Sequence, residues 1–145
     1  MWMYIFVMVR WVSISTLLIK RKWTLFSLAV LVPVGLATKT HSGPAQFWVN
    51  NSLGGVFYVV FWSLLLSLAM PNLHRVKNVM VVFTATCAIE LLQLWHPPVL
   101  QLFRSNFIGA IVLGTTFTWS DFPHYAAGAF CSFLLLSVLA RREGR

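Results

Sequence analysis

The chain has 145 residues, of which 59% are apolar and only 10% charged, with a mean hydropathy of +0.78. Soluble domains carry about 45–50% apolar and about 25% charged residues, so this composition excludes an ordinary water-soluble fold and points to an integral membrane protein. Eleven Lys and Arg against three acids give +8, but the basic residues cluster between apolar runs, which makes them topology signals rather than a nucleic-acid surface.

Residues 1–19 (MWMYIFVMVRWVSISTLLI) are long enough to cross a bilayer, yet Arg10 sits at their centre, where a charge costs about 2.5–3.5 kcal/mol. The segment reads as a helix in the interface, as a fifth span with Arg10 facing the bundle, or as upstream of another start at Met3 or Met8; an extra membrane-inserted helix is favoured. No basic residue precedes the apolar stretch and no A-x-A site follows, so it does not read as a signal peptide. Four core spans follow, at residues 23–37, 53–70, 79–95 and 122–140, judged against the about 20 apolar residues needed to cross a core of about 30 Å. Pro33 is a kink point in the first. Pro71 closes the second, His96-Pro97-Pro98 stops the third, and Pro123 fits the first turn of the fourth, where its missing N–H breaks no helical bond. Between the third and fourth spans, residues 107–114 (FIGAIVLG) are apolar but too short to cross, and read as a re-entrant or interfacial hairpin packed on the bundle.

The expected architecture is therefore all-α: a polytopic membrane helical bundle with an extra N-terminal helix over 1–22, the bundle over 23–140 and a basic tail over 141–145. Lys20, Arg21, Lys22, Arg75, Lys77, Arg141, Arg142 and Arg145 fall on one side of the four spans, and Lys39 and Arg104 on the other. That excess places the C-terminus in the cytoplasm and the loop before Asp121 outside. Small pairs at i, i+4 (Ser63 with Ser67, Ala127 with Cys131, Gly128 with Ser132) allow close helix approach in the second and fourth spans.

With so few acids, Glu90 and Asp121 stand out. Glu90 lies inside the third span with Gln93 on the same face three residues on. Asp121 opens the last helix, with His124 and Tyr125 one turn later. A carboxylate in hydrocarbon needs a partner or a proton, and Arg104 in the intervening loop is the expected fork to one or both acids. Glu90, Gln93, Arg104, Asp121, His124 and Tyr125 thus form a candidate polar cluster, serving either as a ligand site or as a knot fixing the hairpin on the bundle. His96 and His124 lack metal-ligand spacing, so no metal or other cofactor is expected. Ser120 beside Asp121 reads as a helix cap rather than a nucleophile. Cys87 and Cys131 read as small packing residues.

Glu90-Leu91-Leu92-Gln93-Leu94, Arg104, Leu113-Gly114, Phe117, Trp119-Ser120-Asp121, Tyr125 and Gly128, taken in order, resemble the bacterial membrane family known as domain of unknown function 2809, itself similar to VanZ-like proteins. The resemblance runs from about residue 23 to 139. This chain departs from the family pattern at Gly54-Gly55, where an acid is usual after the first glycine, and at Thr38-Lys39, where Ser-Arg is frequent. The resemblance implies a small four-span bundle in the bacterial inner membrane and no established activity. Two functions are expected from the sequence: binding of a lipid headgroup or envelope component at an outer-leaflet polar site, or service as a non-enzymatic accessory or structural subunit of a larger membrane complex. Membrane lipids, and in the second case other membrane subunits, are the partners.

Overall fold

A computed structural model describes residues 21–40, 53–95, 97–114 and 116–144, together with positions 42, 43, 46 and 49. The extra N-terminal helix expected over 1–22 lies outside the described residues except for its last two positions, as does His96.

Among the described residues the fold is all-helical. Its helices are α1 (Lys22–Thr40), α2 (Gly54–Ala69), α3 (Arg75–Leu92), α4 (Pro98–Arg104), α5 (Phe107–Leu113) and α6 (Asp121–Arg142). Helices thus form over the four apolar runs, with shifted ends. The third begins four residues earlier than expected, at Arg75, and finishes at Leu92 rather than Trp95. The last turn tightens there, with the amides of Gln93, Leu94 and Trp95 each bonding the carbonyl three residues back. Of the four long helices, α6 is both long and apolar enough to cross a membrane unaided; α2 is apolar but has 16 residues, about 24 Å at 1.5 Å per residue. Two short helices fill the stretch before α6, and the apolar run 107–114 forms the second of them, α5. Pro98 occupies the first turn of α4, and the Asn106 side chain caps α5 by accepting from the Gly109 amide at 2.7 Å.

Gly55 and Gly128 let α2 and α6 run side by side. A Cβ on Gly128 would stand 2.9 Å from the Val56 carbonyl oxygen and 3.0 Å from Val59 Cβ, so only glycine allows this approach. Val59 and Val82 pack with Tyr125 toward one end of the bundle, and Val60, Leu64 and Val79 pack with Leu136 and Leu139 toward the other. Helices α2 and α6 therefore run in the same direction. The small pairs sort by face: Ser63, Ser67, Gly128 and Ser132 are buried in the bundle, whereas Ala127 and Cys131 point outward.

Polar residues occupy much of the interior. Glu90, Asn78, Thr24, Ser63 and Ser132 are as fully enclosed as Leu64 and Val59. Large apolar residues lie outside on every long helix, among them Phe26 at 62%, Val81 at 53% and Phe130 at 64% exposure.

Candidate functional site

Glu90 sits in the last turn of α3 and is 1% exposed. Its Oε2 accepts from the Tyr125 hydroxyl at 2.6 Å and from Gln93 Nε2 at 3.0 Å, while Oε1 accepts from the Thr118 backbone amide at 3.0 Å. Three donors, from the C-cap of α3, from the segment before α6 and from α6, therefore converge on one carboxyl. A buried carboxyl without such partners would cost several kcal/mol, so this convergence is what makes the position tolerable and what ties the three segments together.

Local geometry puts each donor in place. Gln93 follows Glu90 by three residues, which brings its amide over the carboxyl. Gly114, at φ +66, ends α5 with its Cα against that amide, and a Cβ there would meet Gln93 Nε2 at 2.3 Å. Tyr125 stands one turn into α6, its ring against Gly55, where an added Cβ would lie 3.0 Å from it. The Phe122 ring flanks it edge-on at 6.4 Å between centroids.

Arg104 does not fork to the acids. Its Nη2 donates to the Leu92 carbonyl at 2.9 Å and its Nη1 to the Trp95 carbonyl at 3.2 Å. These are carbonyls left over where α3 ends, and a guanidinium suits them both as a double donor and as a positive charge at the negative end of the helix dipole. The residue thus ties the short helical pair to α3 rather than bridging Glu90 and Asp121. A second tie runs from α2, whose Tyr58 hydroxyl donates to the Val112 carbonyl at 2.7 Å.

The structure brings Glu90, Gln93 and Tyr125 into direct contact. Asp121 opens α6 half-exposed. His124 turns aside, its Nδ1 lying 2.6 Å from the Ser120 carbonyl oxygen. Ser120 takes the N-cap position with helical backbone angles and no side-chain capping bond, so the expected cap is positional only. Of the two histidines weighed as metal ligands, His96 lies outside the described residues. No group of three His, Cys, Asp or Glu suited to a metal occurs among the described residues. An open apolar groove of about 320 Å³ lies elsewhere, between α1 and α2, lined by Phe26, Val30, Val34 and Phe57 among others.

Sequence reasoning passed over two participants. The Thr118 donor is a backbone amide, which no side-chain pattern announces. Glu143, within the basic tail, accepts through Oε1 from both the Thr24 amide at 3.0 Å and the Thr24 hydroxyl at 2.8 Å. Beside it Arg21 donates to the Ser67 carbonyl at 3.2 Å and the Pro71 carbonyl at 3.4 Å. The signal that could have found this second knot is the single acid standing directly after Arg141 and Arg142.

The profile of the family described as Protein of unknown function (DUF2809) matches residues 45–129, more than half of the chain, and the chain belongs to that family. No solved structure matches it.

Proposed function

We propose that this member of the DUF2809 family is a multi-pass protein of the bacterial inner membrane that works as a non-enzymatic membrane component, with the Glu90 knot as its fastening. The observation that carries this reading is the inverted distribution of side chains: Glu90, Asn78 and Thr24 are enclosed while Phe26 and Phe130 face outward. Water would penalise both halves of that arrangement, and lipid rewards both. The knot itself is closed, with every Glu90 oxygen engaged by the chain's own donors. Such a carboxyl holds segments together more readily than it receives a substrate. The short pair α4–α5, with Val99, Leu102, Phe103, Phe107 and Ile108 all exposed, then lies at the outer interface as a surface for lipids or for a neighbouring membrane subunit.

Cysteine accessibility tests the topology. In a background with Cys87→Ala and Cys131→Ala, Thr116→Cys is expected to react with a membrane-impermeant maleimide on intact cells, and Asn72→Cys only after permeabilisation. Labelling of both from the same side would sink the bundle reading. A second reading, a headgroup bound beside Glu90, is favoured by two buried atoms without hydrogen-bond partners, Gln93 Oε1 and Arg104 Nε. On that reading Arg104→Ala stays folded and loses a lipid retained by the purified wild type; a variant that fails to accumulate argues for the fastening role.

A further inference from the structure

The two ends of the bundle differ in charge, and the fold creates that difference. Glu143 joins the end of α6 to the start of α1 through Thr24, and Arg21 joins the start of α1 to the end of α2 through Ser67 and Pro71. Helix α3 begins only a few residues after α2 ends. Four helix termini therefore meet at one end, and they bring together Lys22, Arg75, Lys77, Arg141 and Arg142, all exposed. The chain's other two acids, Glu90 and Asp121, lie at the opposite end. Glu143, the one acid here, has its Oε1 committed to Thr24 inside the fold.

We infer that this basic end binds the headgroups of anionic phospholipids. What selects phospholipid over an acidic protein or a nucleic acid is the apolar surface directly beside the cations. Trp23, Phe26, Val76 and Met80 are exposed within about a turn of Lys22, Arg75 and Lys77, so a phosphate at the cations places its acyl chains against apolar side chains. A soluble polyanion would leave that apolar surface uncovered. Trp23 completes the arrangement: Lys22 Nζ lies 5.8 Å and the Arg142 guanidinium carbon 5.0 Å from its ring centroid, an indole at headgroup depth holding two cations beside it. Basic clusters on the cytoplasmic side of membrane helices attract anionic lipids in this way.

The inference rests on the membrane reading, and its test separates the two. The full chain, purified in a neutral detergent, is titrated with phosphatidylglycerol or phosphatidylcholine, and bound lipid is counted by native mass spectrometry. The wild type is expected to prefer phosphatidylglycerol by about 25-fold, the effect of two engaged cations at about fivefold each. The preference should shrink at high salt. The triple variant Arg75→Gln, Lys77→Gln, Arg141→Gln, which leaves Lys22 and Arg142 beside Trp23, should lower the preference several-fold, whereas Arg75→Lys with Arg141→Lys keeps it. Five of the eight basic residues of that side remain in the triple variant (Lys20, Arg21, Lys22, Arg142, Arg145), so it should still insert. Labelling of Thr116→Cys and Asn72→Cys in the same background shows whether it does. Equal retention of the two lipids by the wild type, or an undiminished preference in a correctly inserted triple variant, would overturn the inference. Displacement of phosphatidylglycerol by inorganic phosphate at equal concentration would make this a phosphate site and overturn it equally.

Discussion

Replacing Tyr125 by Phe removes one oxygen atom and leaves the ring in place. The ring contacts with Gly55 and Phe122 survive, so the loss reads out the bond from the hydroxyl to Glu90 Oε2, the shortest of the three bonds to that carboxyl at 2.6 Å. A buried bond to a carboxyl contributes about 1–3 kcal/mol, so the folding equilibrium should fall by roughly 5- to 150-fold. Glu90→Ala should cost more, because Tyr125, Gln93 and the Thr118 amide would all lose their acceptor, and each stranded donor carries its own penalty of about 1–3 kcal/mol. Unfolding of the full chain in dodecyl maltoside by added sodium dodecyl sulfate, followed by tryptophan fluorescence, gives the free energies. The cycle combining Tyr125→Phe with Glu90→Gln should show a coupling of about 0.5–3 kcal/mol. If Tyr125→Phe unfolds with the wild type, or the two changes add within about 0.5 kcal/mol, the hydroxyl does not hold the knot and the reasoning fails.

Gly114 and Gly144 form a natural pair of controls, since both have positive φ, +66 and +69, but nothing lies within 4 Å of a Cβ on Gly144. Alanine at either should cost about 1–2 kcal/mol in backbone strain, and at Gly114 about 1 kcal/mol more for the lost bond from Gln93 to Glu90; equal unfolding energies would show that Gln93 does not depend on Gly114. Glu143→Ala should leave the Thr24 amide and hydroxyl unpaired and destabilise the start of α1 by about 1–2 kcal/mol, seen as faster hydrogen exchange at Thr24 with unchanged exchange in α3, whereas unchanged exchange at Thr24 would refute the link.

Several of these features are readable from residues alone, and the reasons for the others are physical. Long apolar runs bounded by Pro71, Pro97-Pro98 and basic clusters fix four long helices, because periodicity and helix stops are local properties. Glu90 with Gln93 is readable for the same reason, being a contact three residues apart at the end of one helix. For Arg104, charge alone points to carboxylates, whereas the carbonyls it meets become available only where α3 ends at Leu92 and the chain turns back. Contacts separated by many residues, such as Thr118 with Glu90 and Thr24 with Glu143, depend on how whole helices pack. One involves a backbone donor, which no residue pattern announces, and the other a surface-looking acid whose one sign is its place directly after Arg141 and Arg142.

The spacing of the donors to Glu90 has a consequence for biosynthesis. Gln93 is three residues away, Thr118 is 28 and Tyr125 is 35. On the membrane reading proposed above, α3 enters the bilayer well before α6 is synthesised, so for that interval the carboxyl has one bonding partner of the final three. On that reading Gln93, at the C-cap of α3, would be the one donor shielding the acid until α6 arrives. Substituting it should therefore harm nascent chains more than finished protein, lowering yield at synthesis while leaving the mature molecule comparatively durable.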